Sequence, residues 1–133
     1  MKIVFDNKQG RAGRQMDEFM EWLEERIAAV SDIEATAKEM ISNRDSVGYR
    51  AMMRKKALLL AGLDENGRRF AFMLPVPAKA LAASKLRRFS ASASTALELD
   101  STFYMSALLF PEDHQPGQPN DLEVFREEIQ QLM

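Results

Sequence analysis

The sequence predicts an all-α fold, a single-domain helical bundle of about four to six helices. Two observations carry that reading. Ala, Leu and Met number 17, 14 and 9, against 13 for Val, Ile and Thr together. The first group loses little side-chain freedom in a helix, whereas β-branched residues lose χ1 freedom there and fit strands better. Apolar residues also recur at spacings of three and four, and cap-type residues punctuate the stripes they form. At 133 residues the chain is long enough to bury a core as one domain spanning 1–133.

Taken in order, a short extended start leads into a Gly10-Arg11-Ala12-Gly13-Arg14 loop. Met16, Phe19, Met20, Leu23, Ile27 and Val30 then mark one stripe of a helix over about 14–30. Ser31-Asp32-Ile33-Glu34 reads as a capping box opening a second helix, with Ile33, Ala37, Met40 and Ile41 on its buried face. Asn43-Arg44-Asp45 interrupts the pattern, and Asp45 or Ser46 is the next N-cap.

A helix over 46–61 puts Tyr49, Met52, Met53, Leu59, Leu60 and Leu63 on one side. It would end in a Schellman cap at Gly62-Leu63. Lys56 falls inside that stripe, and its stem is expected to snorkel the ammonium outward. The alternative is an α+β fold with a small β-hairpin at about 57–74, turning at Asp64-Glu65-Asn66-Gly67. Helix is preferred because both faces of 70–74 are apolar and 57–61 has no β-branched residue.

Pro77 suits a first helical turn, after which Ala78, Ala82, Leu86, Phe89, Ala93, Ala96 and Leu97 form a stripe rich in small residues. Such a stripe lets a neighbouring helix approach closely. Asp100-Ser101 either starts a fresh helix or lies within a continuing one. The segment 103–110 is apolar on nearly every side, implying deep burial or an interface. A polar Pro/Gly loop covers 111–119. Asn120-Asp121-Leu122-Glu123 then caps a last helix with Leu122, Phe125, Ile129 and Leu132 on its stripe.

Composition removes much chemistry. The chain has no cysteine, which excludes disulfides, thiolate metal sites and thiol nucleophiles. No run approaches the ~18–20 apolar residues of a membrane span, and the start turns charged too early for a secretory leader. A cytoplasmic protein without a membrane partner is expected. The single histidine, His114, lies in the 111–119 loop without a nucleophile motif beside it. Glu21, Glu24 and Glu25 read as a solvated face, and 10–14 lacks the Gly-Lys-Ser/Thr ending of a phosphate loop. Arg87-Arg88-Phe89-Ser90 resembles a basophilic phosphorylation site over four residues only. No catalytic residue, cofactor or metal is predicted.

Charge carries the functional signal. Residues 44–88 hold eleven Lys/Arg and three Asp/Glu, whereas 89–133 hold one base and eight acids. Arg50 and Arg54 lie one turn apart opposite the stripe, with Lys55 at its edge, and Arg68, Arg69, Lys79, Lys85, Arg87 and Arg88 extend the set. Arg50, Arg54, Lys55, Arg87 and Arg88 are therefore candidate anion-binding residues, able to track phosphates without reading bases. Yet the sequence is acidic overall, so neutralisation of the basic middle by the acidic tail is preferred, within the chain or across a subunit boundary. Trp22, beside the first stripe, joins Phe103, Tyr104 and Phe110 as candidate interface residues. The expected function is a non-catalytic protein–protein interaction or assembly role, with self-association or a protein partner. Nucleic-acid or other polyanion binding through 44–88 is the alternative.

Overall fold

The computed structural model describes the backbone of residues 2–132 and the side chains of residues 17–132. It contains six helices: α1 (Lys2–Ser42), α2 (Ser46–Ala61), α3 (Leu63–Phe72), α4 (Val76–Glu98), α5 (Thr102–Ala107) and α6 (Asp121–Gln131). The described residues form no strand, so the fold is an all-α bundle and the hairpin at 57–74 does not occur. Helices α1 and α4 flank α2, while α3 and α6 each pack on both α1 and α4, and α5 closes one end over α2 and α4.

The core has two parts. The larger gathers Phe19, Leu23, Ile27 and Val30 of α1 with Leu60, Leu63, Leu86, Leu122, Phe125 and Ile129. Phe125 sits at its centre, meeting Phe19 edge-on at 6.1 Å and Phe89 at 5.9 Å. Burying a side chain of that size stabilises by about 1.5–3 kcal/mol. A smaller part joins Ala37, Met53, Ala57, Ala96 and Met105 beneath α5. Alanines 78, 82, 93 and 96 are the buried face of α4, matching the small-residue stripe.

Several local expectations are corrected. The extended start and the 10–14 loop are absent, because helix runs from Lys2. Two helical glycines cost about 1 kcal/mol each, but extension from a formed helix adds a hydrogen bond per residue without a new nucleus. Nor does Ser31 start a helix. Val30, Ile33 and Ala37 continue the buried face without a phase break, and a break would expose backbone donors and acceptors. Ile41, placed above on the buried face, is exposed near the end of α1.

The junction of α2 and α3 also differs from expectation. Gly62 has φ −88° and ψ −3°, a right-handed helical conformation rather than the left-handed one of a Schellman cap. Its amide donates to Leu58 and Leu59 carbonyls at 3.3 and 3.2 Å, and its own carbonyl accepts from Asn66. Helical bonding thus continues through it on both sides. Elsewhere the caps behave as expected. Asp45 accepts from the Gly48 amide at 2.8 Å, and Asn120 and Glu123 form a reciprocal capping box at 2.9 Å each. Pro77 lies in the first turn of α4.

Trp22 is a core residue, not an exposed one. It stacks on Phe70 at 6.0 Å and covers Gly67 of α3. The absence of a side chain at Gly67 is what admits the indole, since a Cβ there would overlap the ring. Asn66-Gly67, a turn signal in isolation, is therefore a helical close-packing site.

Replacing Gly67 with Ala should destabilise by about 1–3 kcal/mol, despite the better helix propensity of Ala, and should shift Trp22 emission. Gly62→Ala should instead stabilise by about 0.5–1 kcal/mol, because its φ suits Ala and only the movable Asn66 side chain lies close. Urea denaturation followed by fluorescence distinguishes the two, and equal effects at both glycines would contradict this account.

Candidate functional site

The C-terminal turns of α4 and the α5 segment enclose an open groove of about 620 Å³. Ser92, Thr95, Ala96 and Leu99 form one wall, while Tyr104, Leu108, Leu109 and Phe110 form the other, with Leu60 and Phe89 below. Two left-handed residues set its shape. Asp100 (φ 48°) ends α4 and turns the chain, after which Ser101 Oγ caps α5 by accepting from the Tyr104 amide at 3.1 Å. Leu109 (φ 75°) turns it again, and its carbonyl accepts from Asp121 at 3.0 Å. A leucine with positive φ costs roughly 1–3 kcal/mol and persists only where packing determines it. Here burial of Leu109 in the core supplies that packing.

The polar anchor of α5 is Lys56. Its side chain is 0 % exposed, so the ammonium does not snorkel. Nζ donates to the Ser106 carbonyl at 3.1 Å, lies 3.5 Å from Glu34 Oε1, and faces the Phe110 ring at 4.8 Å. Outward reach fails because α1 and α5 close over both sides of α2 at this level. Glu34 thus serves as counter-charge to a buried ammonium rather than as a capping residue. Burial holds Lys56 below its ordinary 10.5, while the charge and hydrogen bond of Glu34 pull it back up. In the sequence the signal of this tie is the intrusion of Lys56 into an apolar stripe.

The four interface candidates separate. Trp22 is buried, as above. Phe110 is half-buried between the groove, Lys56 and His114, whose ring meets it edge-on at 5.0 Å. Phe103 is 74 % exposed and Tyr104 53 % exposed, and the two rings contact edge-on at 5.5 Å. Leu99, 60 % exposed, continues the patch into the groove. The apolar 103–110 segment is therefore split, with Met105 and Leu109 inward and Phe103 and Tyr104 outward.

The anion-binding candidates are not brought onto one surface. Arg50 and Arg54 both reach Asp100, at 3.2 and 3.4 Å. Arg88 lies about 18 Å further along α4, by helical rise over twelve residues, on the side of Lys85 and Asp121. Arg87 turns to the opposite side, toward α3. Lys55 borders a third depression with Asp32 and Thr36 of α1. Lys85 approaches Glu128 at 3.7 Å, and Arg126 pairs with Glu24 at 3.0 Å. Part of the basic middle is thus met by the acidic end of the same chain.

Polar chemistry in the groove is sparse. His114 Nε2 bonds the Gln118 carbonyl at 2.9 Å and ties its own loop. Asp121, at the rim, has its carboxyl raised above 3.8 by partial desolvation, against the lowering charges of Lys85, His114 and Arg88. Among the described residues no group of three His, Asp or Glu is placed to hold a metal ion, and no helix is long and apolar enough to cross a membrane. The chain matches no protein-family model, no curated protein and no solved structure.

Glu34→Ala should destabilise by about 2–3 kcal/mol, below the loss for a fully buried pair because Glu34 is 28 % exposed. Lys56→Met should stay within about 1 kcal/mol of the parent or exceed it, since a packed apolar isostere removes the charge altogether. The pH dependence has a definite sign. With the folded-state value below 10.5, the unfolded chain holds more protons between the two values. The contribution of Lys56 is fully present above 10.5 and is lost as pH falls through the lowered value. Relative to Lys56→Met, the parent should therefore gain stability as pH rises through that window. Denaturation at a series of alkaline pH values checks this, and parallel curves would refute it.

Proposed function

We propose that the chain is a non-catalytic interaction protein that self-associates through the α4–α5 face. The observation that carries the reading is an exposed aromatic pair, Phe103 and Tyr104, standing beside an open apolar groove on the same face. Projection and recess side by side make a surface able to complement itself: a two-fold axis would place each Phe103 in the groove of the other copy. Exposed apolar patches of this kind mark interaction sites, and aromatic anchors in adjacent pockets contribute disproportionately to binding. Rim charges of both signs, Arg50 and Arg54 with Asp100, would then fix orientation more than affinity.

Polyanion binding through Arg50, Arg54, Lys55, Arg87 and Arg88 draws less support. Two of the five are already paired with Asp100, and the rest lie on separate sides of the bundle.

Sedimentation at tens to hundreds of micromolar should give a dimer for the parent and a monomer for Phe103→Asp. The substitution should change folding stability by no more than about 0.5 kcal/mol, because the side chain is largely in water already. A monomeric parent over the whole concentration range would defeat the proposal, as would a Phe103→Asp variant that still dimerises.

A further inference from the structure

A second recess lies on the other side of α4, against α3. We propose that it is a binding site for a small organic acid, with a planar apolar body and a carboxylate head. Helices α3 and α4 are joined by the short turn at 73–75, so they run antiparallel. Ser90 of α4 pins them: its Oγ accepts from the Asp64 amide at 2.9 Å and donates to the Leu60 carbonyl at 3.1 Å. Residues four apart share a helix face, so Asp64, Arg68 and Phe72 form one ridge and Lys79, Ala83 and Arg87 the facing one. The antiparallel register sets Phe72 by Lys79, and Ala83 is too small to fill the space opposite Arg68. A cleft of about 320 Å³ results, floored by Ala71 and Leu86. That volume lies at the lower end for small-molecule pockets.

Charge identifies the ligand class. Asp64 is the one carboxylate in the lining, and Arg68 already holds it at 3.1 Å. Lys79 and Arg87 have no ion-pair partner among the described residues, as is also true of Arg44, Lys55, Arg69 and Arg88 in the basic middle, but only Lys79 and Arg87 share one cleft with an apolar floor. Lys79 instead lies over the Phe72 ring, 4.1 Å from its centre. The lining therefore carries a net charge of +2 around an apolar floor. A guanidinium fork matches a carboxylate in two parallel hydrogen bonds, which assigns the head to Arg87. Phe72, exposed at the edge, would cover the flat body, with Lys79 adding positive potential along it. The site is independent of the α4–α5 groove and of self-association.

The test titrates the full chain with 2-naphthoate, with the neutral isostere 2-naphthalenemethanol, and with acetate, followed by calorimetry and by methyl shifts of Ala71, Ala83 and Leu86. Naphthoate should bind at millimolar or lower concentration. The alcohol, acetate and the Arg87→Gln variant should each be weaker by about tenfold or more, the scale of a lost charged hydrogen bond. Phe103→Asp should bind like the parent, which separates this cleft from the groove. Equal binding of alcohol and acid would overturn the proposal, as would an unchanged Arg87→Gln variant with native helicity, or no naphthoate binding at tens of millimolar.

Discussion

Lys56 ties three elements that otherwise meet through apolar contacts. Its stem belongs to α2, its counter-charge Glu34 to α1, and its carbonyl and aromatic partners to α5 and the residues just after it. Taking an ammonium out of water is costly, and attraction offsets that cost only where the partners are well placed. The tie therefore works mainly as a specification of geometry. Moving α5 away would strand the charge beneath Phe110, so the position of α5, and with it one wall of the groove, is linked to the presence of Glu34. Met105 alone would hold α5 against the smaller core, but a single apolar anchor on a six-residue helix leaves its rotation undetermined.

Close approach elsewhere depends on what is missing rather than what is present. Alanines along α4 let α2, α3 and α6 pack around one helix, and Gly67 lets α3 lie directly over Trp22. Large aromatics then fill the spaces between, with Phe19, Trp22, Phe70, Phe89 and Phe125 in a chain of contacts of 5.8–6.1 Å. The same economy of volume opens the recess at Ala83. Close packing follows from the buried alanines of α4, and the recess follows from Ala83 on its neighbouring, exposed face.

What could be read beforehand was whatever the backbone settles locally. Asp45, Asn120 with Glu123, Pro77 and the Pro/Gly loop act within four residues, so their patterns and structures agree. The failures share a cause. Ser31-x-x-Glu34 has the pattern of a cap, yet Glu34 answers to Lys56, twenty-two residues on. Asn66-Gly67 likewise carries the turn signal of the hairpin alternative, to which helix is preferred, and Gly67 answers to Trp22. Trp22 lies off the first stripe because α2, α3 and α6 all cover α1, which widens its buried arc beyond what one partner would bury. Of the candidate site, Phe103 and Tyr104 were identifiable by composition, whereas the groove beside them depends on two left-handed turns that no spacing announces.

The sorted charge takes on a different meaning once the helices are placed. Arg50 and Arg54 meet Asp100, and Lys85 approaches Glu128, so complementary blocks distant in sequence become neighbours through the course of α4. Exposed pairs of this kind contribute little each, commonly under about 1 kcal/mol. Their effect is on choice among alternatives: a helix docked in the wrong register would set like charges together, and that repulsion disfavours it. Asp100 also occupies a left-handed turn, which two arginines help to hold in place. Pairing is incomplete at the α3–α4 cleft, where Lys79 and Arg87 remain without carboxylates among the described residues. A block of charge retained only to orient helices would be neutralised where the helices meet, and this cleft is such a meeting point. Lys79 lies over the Phe72 ring across this helix pair, whereas Arg87 has no partner among the described residues, and an anion from outside is the partner its chemistry fits.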